Sequence, residues 1–312
     1  MAWLGKKKRR IEETFKSPQV ISNDKCCLMS QVAIAKGNDA VETTVKALRM
    51  IEENVNSILR EKKPILIKPN FINSKHPSTG ITTDSRVVEG TIKFLREHTQ
   101  AEIIIGEGSG FGDTFNAFKG AGIDTVAERW GVKLVDLNKD EFAEAHPPNP
   151  LSLKKVKVAK TALESLIVSV PKLKLHRIAT VTLGLKNMIG ALASKGVMHT
   201  GWLSENIADL ASLLKPSLTV IDGIIAGEGH ETSGNPVKMD LVIAGTDPVA
   251  VDAVGAAVME IPPADVKHLV LAEKKGLGTC NLEKITVLGE PIEGVKRKFR
   301  QSLSSRLLVH IG

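Results

Sequence analysis

Residues 65–110 read ILIKPNFINSKHPSTGITTDSRVVEGTIKFLREHTQAEIIIGEGSG, and the order of patterns within them decides the fold. ILIKPN (65–70) is a short apolar run that ends on polar residues, as a buried strand does at its carboxyl end. Thr83 or Asp84 then caps a helix through His98, with Val87, Val88, Ile92, Phe94 and Leu95 along its apolar side. EIIIGEGSG (102–110) is a second apolar run that passes into glycine-rich loop. Strand, crossover helix and strand predict parallel pairing, because a parallel connection needs about a dozen residues or more.

The same alternation extends both ways. VAIAKG (32–37) and a helix over 39–59 precede it; a helix near 122–130 and VKLVDL (132–137) follow. The proline-bearing segment 141–165 reads as an insertion or sub-boundary with irregular or hairpin structure. Beyond it come SLIVSV (165–170), a helix over 203–214 and the strands LTVIDGI (218–224), MDLVIAG (239–245) and ITVLG (285–289). Two helices, 248–259 and 263–275, fill the last gap. The expected class is α/β, a mostly parallel sheet with flanking helices, the second half either continuing the sheet or forming a second α/β unit. The expected organisation is a basic leader over 1–29, a body over 30–290 and a basic amphipathic tail over 291–312.

Charge narrows the function classes. The formal net charge is +7, but residues 1–10 and 296–312 each carry five Lys/Arg and no acid, which leaves the body slightly negative. The basic tails are of a kind that contacts anionic lipid or RNA, but the favoured reading is a solvated basic leader and a C-terminal helix docked on the body. Tyr is absent and aromatics make up 4% of the chain, so there is little on which to stack bases. Phe299, Leu303, Leu307 and Ile311 recur every four residues, an amphipathic-helix spacing. No apolar run approaches the ~20 residues of a membrane span. Three cysteines, two of them adjacent, form no disulfide framework, and a reducing, cytoplasmic location is expected.

In an open parallel sheet, ligands bind beyond the carboxyl ends of the strands. Strand ends alone nominate Lys68 and Asn70; Glu107 between Gly106 and Gly108; Lys172, Lys174 and His176; Asp222 with Glu228; and Asp247. PKLKLH (171–176) alternates, so an extended backbone sends Lys172, Lys174 and His176 to one side and Leu173 and Leu175 to the other. The run 171–199 holds five Lys/Arg and two His without one acid, including Lys186, Asn187, Lys195 and His199 in an apolar setting. Unpaired lysines there are tolerable when distant acids or a bound anion neutralise them. The alternative for the PKLKLH lysines is an edge strand protected against aggregation. GEGSGFGD (106–113) resembles a phosphate-cradling loop. Gly-x-x-x-x-Gly-Lys-Ser/Thr, zinc-type Cys/His spacing and a Gly-x-Ser-x-Gly elbow are all missing from the sequence. Asp247, followed by Pro248, also reads as a helix cap.

ILIKPN with TTD (82–84), VPKLKLH, GLKNMIG, VIDGI, GEGH, SGNPV and AGTDPVAVDAVG stand in the order of the family known as domain of unknown function 362, which the chain resembles over about residues 30–290. Many of its members carry or adjoin ferredoxin-type iron–sulfur modules, which implies redox or cofactor-related work and a redox or ferredoxin-like partner. This chain departs there: it has no Cys-x₂-Cys-x₂-Cys-x₃-Cys run, so a built-in cluster is not expected.

The expectation is a pocket for an anionic small molecule or cofactor of unknown identity. Lys68, Lys174 and Lys186 would hold the anion, His176 and His199 would move protons, and Asp222 would neutralise a lysine. A lysine desolvated among other cations is a candidate base or Schiff-base nucleophile, and Lys186 stands with the two histidines as a catalytic candidate. Two other readings stand beside it: a non-catalytic accessory or cofactor-delivery protein, and a metal-dependent enzyme using Asp222, Glu228 and His199.

Overall fold

The computed structural model describes residues 29–302, so the basic leader, except Met29, and the last ten residues lie outside the described residues. Twelve strands follow in chain order: β1 (Ser30–Lys36), β2 (Ile65–Pro69), β3 (Ile103–Glu107), β4 (Lys133–Asp136), β5 (Phe142–Ala145), β6 (Val156–Ala159), β7 (Leu166–Val170), β8 (Lys172–His176), β9 (Thr180–Thr182), β10 (Leu218–Glu228), β11 (Asn235–Gly245) and β12 (Ile285–Gly289). Ten of them build one sheet in the order β12-β1-β11-β10-β7-β2-β3-β4, with β8 on β10 and β9 on β8. β5 and β6 pair with each other as a hairpin within residues 141–165, and Val158 of β6 also bridges to Leu192.

The βαβ reading holds: β2 and β3 pair in parallel, joined by the helix Ser85–His98, whose N-terminus Asp84 caps by accepting the Arg86 N–H. β3 and β4 continue the parallel arrangement, as do β7 with β2 and β10 with β7. The second half extends the same sheet through β10, β11, β1 and β12. Only β11 and β9 run against the rest. β11 does so because residues 229–234 are too short a connection for a crossover, which makes β10 and β11 a hairpin. The expected loop 227–236 is correspondingly shorter, since both strands run on into it.

Both faces of the sheet are covered. Alternation places Leu66, Ile104 and Ile167 in one apolar core, and Ile65, Ile67, Ile103, Ile105 and Val168 in the other. The expected helix over 39–59 is two helices, Ala40–Met50 and Glu52–Leu59, that break at Ile51. The amphipathic spacing near the C-terminus does not give a helix in the described part. A short helix covers Ile292–Val295, residues 296–300 have no regular structure, and Phe299 is nevertheless buried against the core. Leu303, Leu307 and Ile311 lie outside the described residues.

β7 and β8 are one extended run interrupted at Pro171, and both lie along β10. Where β8 takes over, Lys172 pairs with Asp222 of β10, Nζ to Oδ2 at 2.5 Å, both side chains sealed from solvent. Asp222 also accepts the backbone N–H groups of Asp84 and Ile224, so its carboxylate ties β8, β10 and the start of the Ser85–His98 helix. Losing one member leaves the other charged and buried. Lys172→Met should destabilise the fold by about 3–5 kcal/mol in urea unfolding, and Lys172→Met with Asp222→Leu should recover most of it. Equal losses in the single and double variants would show that the pair contributes nothing specific.

Candidate functional site

The carboxyl ends of β2, β3 and β8 open onto a cavity of about 710 Å³. Its floor is an ion pair between neighbouring strands: Lys68 Nζ lies 2.8 and 2.9 Å from the Glu107 carboxylate oxygens, and each residue is 1% exposed. Glu107 also accepts the N–H groups of Phe71 and Gly108. Burial pushes the Lys68 ammonium down and the Glu107 carboxyl up, and their mutual attraction opposes both shifts.

Segment 184–191 crosses over this pair. Its one-turn helix, Gly184–Asn187, starts on Asp252, which accepts the Gly184 and Leu185 N–H groups at 2.7 and 2.9 Å. Asn187 fixes the other end with its whole amide. Its Nδ2 donates to Lys68 O and Ser169 Oγ, and its Oδ1 accepts from Lys68 Nζ and Asn70 Nδ2. Gly190 must be glycine, since a Cβ there would overlap the Glu107 carboxylate and crowd Lys68 Nζ.

Six Lys/Arg line the cavity (Lys68, Lys75, Lys174, Arg177, Lys186 and Lys195) against two acids, Glu107 and Glu231. Lys174 Nζ has one partner, the Ile81 carbonyl at 2.8 Å, and burial with the charges of Lys186 and Lys172 lowers it to about 7. Lys186 has no hydrogen-bond or ion-pair partner among the described residues, and burial brings it to about 8. Lys195 donates to Asn138 Oδ1 and is lowered by burial. Two buried polar atoms of lining residues, Asn70 Oδ1 and Thr182 Oγ1, have no hydrogen-bond partner among the described residues.

His176 is held as a hydrogen-bond donor. Its Nδ1 accepts the N–H groups of Ile178 and Ala179 at 3.2 and 3.1 Å, so the ring proton belongs on Nε2. Burial and the Lys186 and Lys174 charges hold its pKa far below the usual histidine range. Nε2 faces Glu231 Oε1 at 3.8 Å, too far for a hydrogen bond between them. A ring held this way is suited to donating a hydrogen bond from Nε2 to a ligand. His199 is exposed at the mouth, with Nδ1 at 3.2 Å from Lys195 O.

Of the residues nominated by sequence, Lys68, Asn70, Glu107, Gly108, Lys174, His176, Lys186, Asn187, Lys195 and His199 line this one cavity. Lys172 and Asp222 are consumed by each other. Gly106 packs against Leu66 and Leu137 instead. Asp247 follows β11, whose reversed direction carries it to the opposite edge of the sheet. There it caps the helix Pro248–Val258 and accepts from Ser30 and Thr279. Glu228 accepts the Arg300 N–H. Asp222, Glu228 and His199 therefore have separate partners, and no group of three potential metal-ligating side chains occurs among the described residues. The 106–113 loop is no open anion cradle, because the N–H groups of Gly108, Ser109, Gly110 and Phe111 already donate to Glu107, Thr114, Phe71 and Ile72.

Sequence reasoning passed over Glu231, which joins the turn after β8 to the loop after β10 by pairing with Arg177, Nε to Oε1 at 3.1 Å. Nothing in GEGHETSGNP separates Glu231 from Glu228; only the register of β10 does. Nitrogen-15 spectra should show a neutral His176 ring, protonated at Nε2 and unchanged from pH 5 to pH 9. A titration in that interval, or a proton on Nδ1, would sink the assignment.

Among the described residues no helix is long and apolar enough to cross a membrane. The thylakoid-associated protein sll1697 of Synechocystis sp. is 24% identical over 262 residues, 79% of either chain. Residues 65–257, more than half of the chain and the part that contributes β2, β3, β8 and the 184–191 segment to the cavity, match the model of the domain of unknown function DUF362, and the chain belongs to that family.

Proposed function

We propose that the protein binds an anionic small molecule, of carboxylate or phosphate class, in the cavity beyond β2, β3 and β8. The observation that carries this reading is the Lys186 ammonium, partly desolvated at the cavity wall, with no hydrogen-bond or ion-pair partner among the described residues and the Glu231 carboxylate attracting it only from beyond ion-pair distance. Such a charge is unfavourable until an anion reaches it. Lys174 and Lys195 have only neutral oxygens as partners, so their charge too is uncompensated by direct contact. The neutral His176 Nε2–H adds a directional group that can orient a ligand. The cavity volume, about 710 Å³, is in the range of small-metabolite sites.

Calorimetry with inorganic phosphate, sulfate, lactate and pyruvate tests the reading. At least one should bind, and Lys186→Met should weaken it about tenfold or more while the fold survives, since Lys186 makes no hydrogen bond or ion pair among the described residues. The pH dependence follows from Lys174 at about 7 and Lys186 at about 8. Both carry charge below pH 6 and shed it as pH rises through 7 to 9, so sulfate or lactate should bind best in acid and progressively worse above pH 8. No binding by any of the four, or affinity indifferent to Lys186, would refute the proposal.

A further inference from the structure

This inference rests on the anion-binding reading and gives it a reaction. Among the cations lining the cavity, Lys68 bonds Glu107, Lys75 bonds Thr232 O, Lys174 bonds Ile81 O, Arg177 bonds Glu231 and Lys195 bonds Asn138. Lys186 has no such partner among the described residues. Its backbone, by contrast, is anchored at both ends of a single turn, on Asp252 at the start and through Asn187 to β2 and β7 at the finish. An amine with a fixed base, an open cavity ahead of it and no hydrogen bond to surrender is arranged as a nucleophile.

The surroundings select the electrophile. A carbonyl oxygen needs a donor that does not itself ionise, and the His176 Nε2–H is one. A carboxylate beside that carbonyl would meet the ammonium groups of Lys174 and Lys195. We propose that Lys186 takes up a 2-oxo carboxylate as a covalent imine, its Nζ attacking the carbonyl carbon. Burial supports this independently: with Lys186 at about 8, roughly a tenth of it is neutral amine at pH 7.

The step balances without a further reagent. The ammonium first releases one proton to water. The amine lone pair forms the C–N bond as the carbonyl π electrons move to oxygen, and one N–H proton follows them to give a carbinolamine. The released proton returns to the hydroxyl, the C–O bond breaks, and water departs from a protonated imine. Ammonium plus carbonyl thus becomes iminium plus water, with no net proton exchanged.

Glyoxylate, pyruvate and 2-oxoglutarate are incubated separately with the full chain and cyanoborohydride, followed by intact mass and peptide mapping. The expected result is one adduct per chain with at least one of the three, on Lys186, formed at least tenfold faster than on any surface lysine. It should be absent from Lys186→Arg and Lys186→Met chains that retain the wild-type circular dichroism. Lactate and inorganic phosphate, which have no carbonyl to trap, are followed by calorimetry alongside. Binding of these two without a Lys186 adduct overturns the imine and leaves anion binding standing. Adducts scattered over surface lysines, or unchanged in Lys186→Arg, also overturn it. If no probe binds and no adduct forms, both proposals fall.

Discussion

The ion pair between Lys68 and Glu107 is the constraint on which the site depends. It joins the ends of two parallel strands, and it sits directly beneath the segment that carries Lys186. A lone lysine or glutamate at that depth would lose its charge, whereas together they also satisfy the Phe71 and Gly108 N–H groups and the Asn187 amide. Gly190 and Asn187 then follow as requirements: one leaves room for the pair, the other binds it to the chain above.

A second buried pair, Lys172 with Asp222, does a different job a few residues away. It lies where β8 replaces β7 beside β10, and it fixes the strand that presents Lys174 and His176. The cations of PKLKLH thus divide by depth. Lys172 is neutralised within the sheet, while Lys174 and His176 reach the cavity. With direct counter-charge spent on Lys68 and Lys172, Lys174, Lys186 and Lys195 are left to share one cavity. Desolvation explains why their protons are held loosely, with repulsion from Lys186 and Lys172 added at Lys174 and from Lys68 at Lys186.

Much of the site was legible because strand ends in a parallel sheet converge. Ten residues picked from strand ends and from one acid-free stretch line a single cavity, though they are spread from Lys68 to His199. The residues that fell elsewhere have physical reasons. Asp247 was read as if its strand were parallel, and β11 is not. Gly106 precedes the loop and faces packed leucines. The glycines at 106–110 suggested open N–H groups, yet side chains and carbonyls from β2, β3 and nearby loops had already claimed them. Glu231 was passed over because an acid in a polar loop gives no sign of what it will meet.

The sequence by itself determined the local elements and the parallel βαβ core, since apolar period, cap residues and connection length are local properties. It also determined that a dense group of lysines would need compensation. Only the tertiary structure decided which lysine received it. Charge compensation depends on atoms brought within about 3 Å across strands distant in sequence: Lys68 meets Glu107, Lys172 meets Asp222, and Lys186 meets no partner among the described residues. The direction of β11, the tautomer of His176 and the closed state of the glycine loop were decided in the same way, by hydrogen bonds formed only once the sheet is assembled.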